Sequence, residues 1–134
     1  MKVEGLITVR SSFGHGETLA RFEAALRANG MSVVACVDHA DGALEISVSL
    51  DATTLLMFGN RARQAELVKA LRLIAVELPF KALIWQDPTG QTCLSYTDFR
   101  WLATRYGAQR DDLCLFTDMA VMLDGIARKA GSPP

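Results

Sequence analysis

The segment Lys81-Ala82-Leu83-Ile84-Trp85-Gln86-Asp87-Pro88-Thr89-Gly90-Gln91-Thr92-Cys93-Leu94-Ser95-Tyr96 reads as a β-hairpin, and the architecture follows from it. Lys81 to Gln86 and Thr92 to Tyr96 are the two strands. Between them Asp, Pro and Gly hold the first, second and fourth places that a type I turn prefers. Upstream, Leu78-Pro79 closes whatever helix precedes the hairpin, because proline pushes the residue before it out of helical geometry. Downstream, Thr97 or Asp98 can cap a helix that runs to Tyr106 and stops at Gly107.

Working outward, Val3 to Val9 is a strand. A helix from about His15 to Asn29 places Leu19, Phe22 and Leu26 on one face, with Gly30 as its left-handed stop. Met31 to Val37 is rich in β-branched residues and extends. The stretch Asp38 to Ala52 fits either a helical turn followed by extended chain or one continuous strand. Thr54 to Phe58 is a buried-type strand ending at Gly59-Asn60, and a helix follows from about Gln64 to Ile74. The last helix spans about Asp112 to Ala130, leaving residues 131–134 as a frayed tail. The expected fold class is α+β: an antiparallel-rich sheet of about five strands with helices on one face, in one domain covering residues 1–134.

The 14 Lys and Arg are nearly matched by 15 Asp and Glu, and neither sign is gathered in blocks. Phosphate-backbone binding needs concentrated positive charge, so nucleic acid is disfavoured as a partner. Neither a run of 18 uncharged apolar residues nor a secretory signal is visible, so a soluble, cytoplasmic protein with no membrane partner is expected. Cys36, Cys93 and Cys114 have no CxxC spacing and sit among apolar residues. They are expected to be reduced, buried core residues, with no metal site and no cofactor.

Four motifs occur in one order: Val37-Asp38-His39-Ala40, then Thr54-Leu55-Leu56-Met57-Phe58-Gly59-Asn60, then Glu77-Leu78-Pro79-Phe80-Lys81-Ala82-Leu83-Ile84-Trp85, then Leu94-Ser95-Tyr96-Thr97-Asp98 with Arg105-Tyr106-Gly107. In order and spacing they resemble the bacterial domain of unknown function 302 family, most closely over about residues 37–107. The resemblance implies a TATA-box-binding-protein-like sandwich that pairs as a dimer, and brings no agreed activity. The chain departs from the family where Ala52 and Arg61 stand in place of prolines, and where Gln64-Ala65-Glu66 replaces Gly-Thr-Pro.

Five polar residues near strand ends are candidates for a ligand-binding cleft: His39, Asn60, Lys81, Tyr96 and Asp98. An imidazole titrates near neutral pH, so His39 could serve as acid or base with Asp98, or alternatively Glu77, orienting it. Each also has an ordinary structural role: a turn histidine, a loop-bonding asparagine, an edge-strand lysine, a helix-capping aspartate. Ser11-Ser12-Phe13-Gly14-His15-Gly16 precedes a helix whose free N–H groups suit an anion, yet it matches neither phosphate-loop nor dinucleotide patterns. Three functions therefore compete: a homodimeric module for a small polar or anionic ligand, a metal-independent enzyme using His39 and Asp98, and a structural interaction domain. For the dimer, Leu115, Phe116, Met119, Ala120, Met122, Leu123, Ile126 and Ala127 span an arc of roughly 160 degrees on the last helix, where one sheet needs only about 100. The surplus predicts pairing through that helix.

Overall fold

The computed structural model describes residues 2–134. Its strands are β1 (Leu6–Arg10), β2 (Ser32–Asp38), β3 (Thr53–Gly59), β4 (Phe80–Gln86) and β5 (Thr92–Thr97). They form one sheet in the order β1-β5-β4-β3-β2, every neighbouring pair antiparallel. The helices are α1 (His15–Ala28), α2 (His39–Glu45), α3 (Arg61–Ala70), α4 (Phe99–Arg105) and α5 (Leu113–Gly131). The β4–β5 hairpin forms as its sequence predicts, with Asp87 Oδ1 accepting from Thr89 N and Gln91 N.

Alternation sorts the strands into two faces. Leu56, Phe58, Phe80, Ala82, Ile84, Leu94 and Tyr96 are buried beneath the helices. Phe22, Phe58, Phe80, Phe99 and Phe116 form a chain of rings with centroids 5.6, 5.9, 5.1 and 6.4 Å apart, joining α1, the sheet, α4 and α5. Such pairs contribute roughly 0.5–1.5 kcal/mol each beyond burial.

The ambiguous stretch after β2 becomes a short helix and then irregular chain. Asp38 is its N-cap, accepting from Asp41 N at 2.9 Å, and that capping settles the choice in favour of a helical turn. The helix expected from Gln64 to Ile74 begins earlier, at Arg61, and is followed by a separate 3-10 segment, Arg72–Glu77. Arg61 is the first helical residue, a position that accepts proline readily. The departure from the family's proline there leaves the helix start intact.

Two expectations are corrected. Only Cys93 is buried; Cys36 lies on edge strand β2 and Cys114 on the first turn of α5, both exposed. An apolar neighbourhood in sequence does not bury a residue at a sheet edge. The wide apolar arc of α5 is used up inside the chain, because Phe116, Met119, Ala120, Leu123, Ile126 and Ala127 are buried where α5 lies between α1 and α4 over the sheet. The surplus read as a dimer surface is an intramolecular two-sided contact. Nor is the tail's beginning loose: Ser12 N donates to Gly131 O at 2.7 Å and Arg21 donates to Ser132 O at 2.8 Å.

Candidate functional site

The candidate residues divide between the two ends of the sheet. The cross-strand row Asp38, Thr54, Ile84, Leu94 fixes the frame. His39 lies just outside this row at one end, and Asp98 lies four residues beyond Leu94 toward the other. At about 3.3 Å per residue along a strand and about 4.8 Å between strands, they are roughly 20 Å apart. Asn60, Lys81, Tyr96 and Asp98 share one end; His39 does not. The single five-residue cleft is therefore not assembled, and antiparallel pairing of β2 with β3 is the reason.

Three of the four are held in structural bonds. Asn60 caps α3: its Oδ1 accepts from Arg63 N at 3.1 Å while its Nδ2 donates to Gly30 O at 2.9 Å. Asp98 caps α4, accepting from Arg100 N at 3.0 Å and from Arg100 Nε at 2.9 Å. Tyr96 is buried on the helix side of β5 and donates its phenolic proton to Asp124 of α5. Lys81, on the opposite face of the sheet, is exposed and donates to Pro79 O at 3.3 Å and Glu77 O at 3.5 Å.

Arg100 and Asp124, which the candidate set lacks, complete this corner. Arg100 Nη2 donates to Asp124 Oδ2 at 2.9 Å, so Tyr96, Asp124, Arg100 and Asp98 form one continuous chain across β5, α4 and α5. A carboxylate set between Leu123 and Ile126 on an otherwise apolar helix face was the sequence signal for it. Burial raises the Tyr96 phenol well above the ordinary tyrosine range, and the neighbouring Asp124 carboxylate adds to the effect. Tyr96 therefore acts as a proton donor and not as a base. Its bonds to Asp98 and Asp124 hold the Arg100 guanidinium firmly protonated. Nearby, Tyr106 donates to the Glu77 carboxylate, and a small cavity of about 20 Å³ is lined by Glu77, Lys81, Thr97 and apolar side chains including Phe99 and Leu123. That volume suits one water-sized guest.

At the other end, His15 Nε2 is 3.1 Å from Thr54 Oγ1, and the Ser11 and Thr18 hydroxyls share a 2.6 Å bond. Ser11 also accepts from Phe13 N, so the loop before α1 bonds to itself. His39 is exposed at the start of α2. Among the described residues no group of three or more His, Cys, Asp or Glu side chains is placed to hold a metal ion.

A five-stranded antiparallel sheet carrying its main helices on one face defines an α+β sandwich domain. The chain belongs to the family described as Domain of unknown function DUF302, whose profile matches residues 7–129. The match reaches past the motif-bearing stretch into α1 and nearly all of α5. The crystal structure of an uncharacterized conserved protein DUF302 from Bacillus stearothermophilus superposes with a TM-score of 0.86 over 96% of this chain and 99% of that one, at 19% identity. The chain is also 38% identical over 117 residues to the fluoride-specific ion channel FluC 1 of Brucella suis biovar 1 (strain 1330) and to FluC 1 of Brucella abortus biovar 1 (strain 9-941). Those matches take in 87% of this chain but only 44% and 42% of the two relatives, so it spans less than half of their length. No helix among the described residues is long and apolar enough to cross a membrane.

Proposed function

We propose that this chain is a homodimeric binding module, not a catalyst, and that modules of this kind serve as the accessory part of a membrane assembly. The observation that carries this reading is the roughly 20 Å between His39 and Asp98, inferred from strand spacing. A general base needs its orienting partner within hydrogen-bonding reach, and this pair has the width of the sheet between them. The other polar candidates serve mainly as caps and braces.

The relatives supply the context. An ion pathway needs membrane-spanning segments, and the matched region of this chain has no helix able to provide them. In the Brucella channels the spans would then lie in the larger, unmatched share. The module's role beside such a channel would be to bind a small polar or anionic ligand. The cavity at Lys81 and Thr97 supports a guest of one or two heavy atoms, fluoride among them. Lys81 uses two protons on backbone carbonyls and keeps the third for a ligand.

The test is thermal unfolding of the chain in sodium fluoride, with sodium chloride, phosphate and acetate at equal ionic strength. Ligand at 100 times its dissociation constant stabilises by about 2.7 kcal/mol. The reading expects one anion to raise the midpoint by several degrees and Lys81→Ala to abolish the effect. If no anion raises it, the ligand reading falls and a purely structural interaction domain takes its place.

A further inference from the structure

The sheet has a second face, turned away from the main helices, and it carries an apolar patch. Cross-strand pairing lines up Val37, Leu55 and Leu83 in one row, with Trp85 and Met57 on either side. The last four are only half-buried and Val37 is 41% exposed. From the same edge projects the connection between β2 and β3, an arm whose Leu44, Ile46, Val48 and Leu50 are 66%, 75%, 47% and 49% exposed. Together these side chains expose on the order of 600 Å². The largest apolar patch on an ordinary monomer is about 300–600 Å², and a standard interface buries about 800 Å² per partner.

We propose that a second copy of this chain covers this surface, each arm lying on the open sheet face of the other subunit. The proposal rests on the homodimer reading above and assigns it a surface. Charge selects the occupant. From Asp38 to Ala52 the arm carries Asp38, Asp41, Glu45 and Asp51 and no Lys or Arg. The open face carries Arg10 and Lys81 and no carboxylate. None of the arm's carboxylates forms an ion pair among the described residues. One chain thus bears two surfaces that match in polarity and charge yet do not meet within it. A two-fold axis lets both arms engage at once, which is the commonest closure for identical subunits.

The experiment is sedimentation velocity on the intact chain at about 10 μM, beside Ile46→Asp/Val48→Asp and, as control, Val121→Asp on the exposed side of α5. All three sites are exposed, so circular dichroism and the unfolding midpoint should show that each variant folds. The expected result is a parent of twice the 14.6 kDa chain mass, a monomeric arm variant and a dimeric control. Loss of two buried anchors should raise the dissociation constant on the order of 100-fold. A dimeric parent with a dimeric arm variant overturns this surface and leaves the homodimer reading standing. A monomeric parent overturns both.

Discussion

The hydroxyl of Tyr96 and the carboxylate of Asp124 lie 2.5 Å apart, joining the end of β5 to the middle of α5. Both groups are shielded from solvent, and Asp124 gives its other oxygen to Arg100. Tyr96→Phe removes the donor and leaves a largely buried carboxylate oxygen without its partner. Hydrogen bonds to charged groups contribute about 1.5–3 kcal/mol, and the variant should lose stability in that range by urea unfolding. An unchanged midpoint would show that water replaces the phenol at no cost.

The same bond predicts a pH dependence. The folded chain holds the Tyr96 proton more tightly than the unfolded chain does, because burial and the adjacent carboxylate both oppose ionisation. The stability this confers is complete below the ordinary tyrosine value near 10 and is lost as pH rises toward the folded value. Unfolding measured at about pH 9 and pH 11 should show the decline, and Tyr96→Phe should flatten part of it. Tyr106, raised chiefly by its bond to Glu77, should keep the remainder. A variant with the parent's full slope would assign the effect to other groups.

Much of this corner was legible in sequence, and its wiring was not. Strand periodicity and the Asp-Pro-Thr-Gly turn place Tyr96 and Asp98 at the close of β5, because those signals act over a few residues. The short helix after Asp38 was open to two readings, since a seven-residue element barely shows a helical period. The partners Arg100 and Asp124 are set by α5 crossing β5, a tertiary choice with no local signature. For the same reason the shared cleft failed: each candidate was correctly placed at a strand end, while pairing direction decides which end. The dimer argument from α5 failed differently, because counting apolar residues on one helix cannot say how many neighbours the helix has.

Gly5 precedes β1 with φ at +78°, and a side chain there would overlap the Trp101 indole. Its carbonyl also accepts from Asp98 N at 2.8 Å, so the turn is tied to the α4 cap. Gly5→Ala incurs roughly 1–2 kcal/mol for left-handed backbone and roughly 1–3 kcal/mol for overpacking. A loss of about 2–4 kcal/mol is expected, together with a shift in tryptophan emission. A loss below about 0.5 kcal/mol would mean that the indole moves aside freely.

Thiol reactivity should separate the three cysteines. Cys36 and Cys114 are exposed, whereas Cys93 is buried and its thiol is pushed up by desolvation, which lowers the reactive thiolate fraction. Titration of the native protein with an aromatic disulfide reagent should label two thiols quickly, and the third only after unfolding. Serine substitution at Cys93 should remove the slow phase alone. A single fast thiol would place Cys36 or Cys114 under cover that the fold of one chain does not provide.

The separation of His39 from Asp98 can be measured without knowing any ligand. Asp98→Ala removes the cap of α4 and one partner of Arg100, which should cost about 0.5–2 kcal/mol. His39→Ala alters an exposed residue at the start of α2, where nothing among the described hydrogen bonds depends on its ring. Its effect should stay within about 0.5 kcal/mol. Residues that far apart with no shared partner act independently, so the double variant should equal the sum of the singles to within about 0.3–0.5 kcal/mol. The cycle needs only four urea titrations at neutral pH, where a working His–Asp pair would be strongest. A coupling above about 1 kcal/mol would require the two side chains to meet, and the enzyme reading would then displace the binding module.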